Sequence, residues 1–316
     1  MFTVAQAVLN EPSEGTAQSP WHTPRLVHSF NQRYSLIPIS VALYECSGRR
    51  AGFSMSFMST LRRIALDLLL IADPDEKVRG TRAADVGLPV GAGENIPPRG
   101  EIPGKPQRPV LVPHTELKKR SVNTVAGRAA LIHSLAHIEH NAVNLALDIC
   151  WRFSGMPDLF YIQWMNVARE EALHFELLRD HLATLGARYG DMSAHDSLWN
   201  MAERTADDIL ARIALVPRTA EARGLDASPL IKSKLSEAGD HDGAAILDII
   251  LRDEIGHVAI GNYWFNWLCD LRKLDPIEAY TDLAKRYSAP RLRGPFNMHA
   301  RLQAGFSPQE LKLLTQ

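Results

Sequence analysis

Two short stretches of this chain have residues whose types and spacing suit metal chemistry. Glu171-Ala172-Leu173-His174 and Glu254-Ile255-Gly256-His257 are both Glu-x-x-His. On a helix that spacing sets a carboxylate and an imidazole on one face, one turn apart. A further glutamate precedes each motif at nearly the same distance. Glu139 lies 32 residues before Glu171, and Glu221 lies 33 before Glu254. Four carboxylates and two imidazoles in two matched sets describe two equivalent positions for a divalent ion.

The surrounding residues turn these groups inward. Phe160, Trp164, Val167, Ala168, Phe175, Leu178 and Leu182 recur at helical spacing, and their stripe passes through Glu171 and His174. Leu247, Ile250, Leu251, Val258 and Phe265 do the same around Glu254 and His257. Ile132, Leu135, Ala136, Ala142, Val143 and Ala146 bracket Glu139, and Leu210, Ala214, Pro217 and Leu225 bracket Glu221. A buried carboxylate without a partner costs several kcal/mol or takes up a proton. Nearby cations are few. Arg169 and Arg252 sit two residues before their glutamates and point elsewhere. Arg218, three before Glu221, is the one placed to help. Two divalent metals neutralise the set, about +4 against about −4.

Helices expected over 126–153, 158–185, from 194–197 toward 224, and over 243–271 carry these residues, with a kink or restart at Pro217. Shorter helices are expected over 59–73, capped by Ser59 and stopped at Asp73-Pro74, over 75–85, from Pro229, from Asp275-Pro276 to Tyr287, and after Ser307-Pro308. Seven prolines between Pro89 and Pro113 make residues 87–114 an extended connector, wrapped over the surface or mobile. The fold class is therefore all-α: a four-helix bundle with additional N- and C-terminal helices. The division is 1–57 as a poorly patterned extension, 58–114 as N-terminal helices and connector, 115–290 as the di-metal bundle, and 291–316 as a tail with a short helix. A strand-like run covers Leu36–Tyr44, and Met55 or Met58 is an alternative start.

The chain resembles the ferritin-like superfamily. More narrowly, it is similar to a bacterial family of ferritin-like proteins of unknown function, distantly related to the di-iron tRNA hydroxylase. The resemblance runs over about residues 60–290. It rests on Ala136-His137-Ile138-Glu139, Ala168-Arg169-Glu170-Glu171-Ala172-Leu173-His174, Glu221-Ala222-Arg223-Gly224-Leu225-Asp226 and Arg252-Asp253-Glu254-Ile255-Gly256-His257. Position by position it implies Glu139, Glu171, His174, Glu221, Glu254 and His257 as the ligands. Pro217, one turn before Glu221, departs from the pattern, and Glu203 or Asp207 is the substitute there.

The carboxylate-rich N/O set favours iron, or manganese or a mixed Mn/Fe pair, over zinc. The leading expectation is a di-iron oxygenase, hydroxylase or oxidase whose chemistry takes place at the metals. Its partners would be O₂, a small-molecule substrate and an electron-donor protein. Alternatives are a ferroxidase or iron-handling protein without an organic substrate, and a tRNA-modifying hydroxylase using Arg286, Arg291, Arg293 and Arg301 for phosphates. A net charge of −1 over 316 residues argues against a nucleic-acid clamp.

Other groups have blander expectations. His133, His137 and His140 are read as a polar flank or a separate site, with His137 also a candidate to support a ligand. Glu170 is read as surface or as a support for a ligand, and Asp253 as a solvated neighbour. Tyr161, Trp164, Tyr263, Trp264 and Trp267 are core or pocket wall, a tyrosine also being a redox candidate. Lys118, Lys119 and Arg120 form a basic turn. Cys46, Cys150 and Cys269 lack disulfide or metal-knuckle spacing, which fits a reducing compartment. No apolar run reaches the ~18–20 residues of a membrane span, and no signal peptide is read at the start. A cytoplasmic protein, possible as a homodimer, is the expectation.

Overall fold

Four long helical rods position the site. A computed structural model describes residues 59–117 and 120–315. The extension 1–57, with its strand-like run, alternative starts and Cys46, lies outside the described residues, as do Lys118 and Lys119.

The first rod is α3 (Val125–Arg152), after α1 (Leu61–Leu70) and α2 (Pro74–Arg82). Thr124 starts α3 by accepting from the Gly127 N–H at 3.1 Å. The second rod is α4 (Asp158–Thr184), closed by Gly186 at φ 78°. After α5 (Ser197–Arg204), the third rod runs through α6 (Ile209–Leu215), a π-helical turn (Val216–Glu221) and α7 (Ala222–Glu237). The fourth is α8 (His241–Arg272), capped by Asp240 on the Gly243 N–H at 3.0 Å. Then follow α9 (Pro276–Arg286), α10 (Met298–Gln303) and α11 (Pro308–Leu313). Among the described residues there is no strand, only an isolated bridge between Leu111 and Ala194. The described residues form an all-helical fold, as their pattern predicts.

The two prolines of the third rod behave differently from expectation. At Pro217 the helix does not stop and restart; it changes its hydrogen-bond register. Pro217 sits in the π turn, where the Ala222 N–H reaches back five residues to the Pro217 carbonyl. A five-residue register lets a later donor serve the carbonyl that proline cannot. Pro229 lies inside α7 instead of beginning a segment. The Leu225 carbonyl, which residue 229 would normally serve, accepts instead from Asn297 Nδ2 at 3.1 Å. The single third helix expected from 194–197 is broken at residues 205–208. Asp73-Pro74 proves to be a start: Asp73 caps α2 and Pro74 takes its first position. Ser59 is not the cap of α1; Thr60 holds that position without a side-chain cap bond.

The connector is wrapped and pinned. Arg62, 1% exposed, donates to the Gly91, Ala92 and Glu94 carbonyls and to the Trp151 carbonyl of α3. The Gly104 N–H bonds the Leu69 carbonyl, and the chains approach so closely that a Cβ at 104 would lie 2.1 Å from the Leu70 oxygen. Leu61, Leu69, Val78 and Val90 share one apolar core with the long rods.

Candidate metal centre

The inward stripes are confirmed. Glu139, Glu171, His174, Glu254 and His257 are at most 3% exposed, and Glu221 is 7% exposed. Five of these six fall into two groups whose ligand atoms lie within 4.8 Å of one another: Glu139, Glu171 and His174, and Glu171, Glu254 and His257. Glu171 belongs to both. Glu221 belongs to neither among the described residues, although it is close enough to repel Glu171, Glu139 and Glu254.

Both imidazoles turn the same edge to the cluster. His174 Nδ1 is 3.3 Å from Glu139 Oε2 and 3.3 Å from Glu171 Oε2. His257 Nδ1 is 2.8 Å from Glu171 Oε1 and 4.0 Å from Glu254 Oε2. The outer nitrogens face carboxylates from the opposite motif. His174 Nε2 lies 3.3 Å from Asp253 Oδ2, and His257 Nε2 donates to Glu170 Oε2 at 2.7 Å. The arrangement is reciprocal: the acid before each ligand glutamate orients the histidine of the other helix. Such outer carboxylates fix a ring's tautomer and raise its basicity toward a metal.

Electrostatics expose a deficit of positive charge. Burial, reinforced by Glu171, pushes the Glu139 carboxyl up to about 7 against the pull of His174. Burial and the repulsion of Glu171 push Glu221 up to about 8. Burial and the same neighbour hold Glu254 well above the carboxylate range. Glu171 overcomes its own burial through His257 and His174 and lies well below that range. Both rings, despite burial, are held well above the usual histidine range by the acids around them.

The donors present fit a pair of cations. Glu171 Oε1, Glu221 Oε2, Glu254 Oε2 and His257 Nδ1 are buried without a hydrogen-bond partner. Glu171 Oε1 and His257 Nδ1 at least face one another as an ion pair, whereas Glu254 Oε2 has only the same nitrogen at 4.0 Å and Glu221 Oε2 has no such neighbour among the described residues. Each of these last two costs about 1–3 kcal/mol. The close approach of His257 Nδ1 to Glu171 Oε1 lacks hydrogen-bond geometry, as it would where both address a common third atom. Arg218 does not relieve Glu221, contrary to the sequence expectation. Its guanidinium ion-pairs with Glu310, donates to Asn262 Oδ1 at 2.7 Å, and is walled by Phe265, Tyr280 and Phe306.

Other expectations are corrected here. Asp253 is not a solvated neighbour; it is 9% exposed and bonded to Arg252 as well as facing His174. The signal for it was in the sequence, since an acid precedes the glutamate in both motifs. His133, His137 and His140, read as a polar flank or a separate site, are buried, being at most 7% exposed. His137 supports no ligand: it contacts Tyr189 and Asn141. Tyr161 spends its hydroxyl on the α3–α4 loop, accepting from Met156 N and donating to Phe153 O, and Tyr263 is 53% exposed. Glu203 accepts from the Trp199 indole. Arg301 is unavailable for phosphates, because it is 1% exposed and paired with Asp226. Cys150 and Cys269 are buried, which raises their thiols to about 12 and about 11.

Fold and site together define an all-helical protein with a buried Glu/His cluster suited to metal. The chain belongs to the family described as "Protein of unknown function (DUF455)", whose model matches residues 70–312 and so spans all six candidate ligands. It is 48% identical over 223 residues to an uncharacterized protein of Haemophilus influenzae strain Rd, covering 68% of this chain and 77% of that one. No solved structure matches it. No helix among the described residues is long and apolar enough to cross a membrane.

Proposed function

We propose that this chain is a ferritin-like di-metal carboxylate protein, with iron as the metal, and that it acts as an O₂-dependent oxygenase or hydroxylase on a small molecule. The observation that carries the reading is Glu171. It is a fully buried carboxylate shared by two histidine-containing groups, placed where a ligand common to two ions would sit. Glu139 and His174 would hold one ion and Glu254 and His257 the other, with Glu221 within electrostatic reach of both sets. The N/O donor set with carboxylates in excess favours iron or manganese.

When bound, a pair of adjacent iron ions supplies the electrons and open positions that dioxygen chemistry requires. The protein's own contributions follow from its geometry. Asp253 and Glu170 hold the two imidazoles with Nδ1 facing inward. Ala168, Ala172, Ile250 and Val258, each at most 1% exposed, flank the ligands and keep bulk water out. Glu139, Glu221 and Glu254 hold protons while the cluster lacks cations and give them up on loading, so metal uptake releases protons.

The test is metal analysis and oxygen uptake on protein purified without chelator from iron-supplemented cells. About two irons per chain and ferrous-dependent O₂ consumption are expected. Protein that binds neither iron nor manganese under these conditions would sink the reading. Iron oxidation that continues over many equivalents with storage of the product would favour iron handling over hydroxylation.

A further inference from the structure

A second polar site lies on the far side of α3. At 100° per residue, Asn144 and His137 stand about 140–160° around that helix from Glu139. Here the connector crosses α3 and leaves a small cleft of about 30 Å³, room for a few water-sized groups. Gly104, Leu111, His140, Asn144, Tyr189 and Asp196 line it.

The charge balance of this cleft is the reverse of the metal centre's. Lys77 of α2 is 0% exposed. Its Nζ donates to Asn144 Oδ1 at 2.5 Å and to the Gly104 carbonyl at 3.2 Å, and both acceptors line the cleft. An ammonium has three donors, so one is left. Among the described residues no carboxylate pairs with Lys77. Asp196, the acid in the wall, is taken by Lys105 at 2.9 Å. His140, 3% exposed, faces the cleft with its Nε2 unpartnered. The neighbouring histidines form no metal-binding group among the described residues. Burial alone lowers the Lys77 amine to about 7, the mark of a buried cation without a counter-charge.

We propose that this cleft is a second ligand site, which takes a small oxyanion, the carboxylate or phosphate end of a small molecule, between Lys77 and His140. The anion supplies the missing counter-charge from in front of Asn144 and Gly104, the two lining residues that hold the Lys77 ammonium just behind the wall, and accepts from an Nε2–H of His140. The site is independent of the metal reading and stands or falls separately.

Thermal unfolding of the full chain as purified tests it, with potassium phosphate or potassium acetate compared against potassium chloride at equal ionic strength. One of the two oxyanions should raise the Tm by about 3–5 °C, phosphate or acetate according to the end group preferred. Lys77→Met should abolish the rise with metal content unchanged. Because that variant can lose stability for its own sake, Asn144→Asp is the second arm. It places a built-in carboxylate on Lys77, so its Tm without oxyanion should match or exceed wild type, and the oxyanion effect should vanish. Equal responses to all three salts, or a rise that persists in both variants, would overturn the proposal.

Discussion

The two halves of the metal centre look alike in sequence and differ in structure. In the half built by α3 and α4, Glu139 sits in unbroken helix and lies 3.3 Å from His174. In the half built by the third rod and α8, Glu221 ends a π turn, stands outside both ligand groups and keeps an unpartnered oxygen. Pro217 is the source of the difference. The register change it forces rotates the residues beyond it by about 100° relative to those before. A repeated spacing therefore yields one half whose acid lies beside its histidine and one whose acid stands apart. If ions bind as proposed, unequal occupancy of the two positions is the expected outcome.

Four measurements sharpen or break this contrast. Glu171→Ala has the largest expected effect, because it removes the one ligand common to both groups. Iron should fall from about two per chain to near zero, as read by elemental analysis; retention of one tightly held ion would show that the halves do not share it. Next comes Glu139→Ala against Glu221→Ala. The first should lose about one ion, while the second keeps both with affinity reduced by about tenfold or less. Equal losses would erase the distinction between the halves.

The outer carboxylates come third. Asp253→Asn and Glu170→Gln should each weaken metal binding by about 10–100-fold. Asp253 should matter more, because its side chain is 8% exposed against 38% for Glu170. A larger loss from Glu170→Gln would mean that burial does not rank these contacts. The smallest effect is on pH dependence. A carboxyl whose pKa is raised on folding binds more protons folded than unfolded, so stability drops as pH climbs from its unfolded value toward its folded one. Glu139 sets that window from 4.5 to about 7, and Glu221 from 4.5 to about 8. The raised imidazoles act in the same direction above 6.5, while Glu171 stays ionised throughout. The gap by which the Tm of metal-free protein falls below that of the metal-loaded form should widen from pH 5 to 8; the buried neutral histidines and Lys77, whose lowered pKa values act the opposite way, contribute alike to both forms. A gap that stays constant or narrows over this range would contradict the buried, protonated state of these carboxyls.

Much of the centre was legible before any coordinates. An i,i+3 pair on a helix shares a face whatever the helix packs against, so Glu171 with His174 and Glu254 with His257 could be paired from spacing alone. Burial followed from the apolar residues on either side. The all-helical class followed from long periodic runs closed by caps such as Thr124 and Asp240.

Contacts between helices were a different matter. Sequence separation says nothing of the rotation and offset at which two rods meet. Only the packed structure decided that Asp253 faces His174, 79 residues away, and that Arg218 leaves Glu221 for Glu310, 92 residues away. The same is true of the face carrying His137, His140 and Asn144. The connector covers them, and the sequence does not show this, because a segment of irregular backbone has no period from which its course can be read.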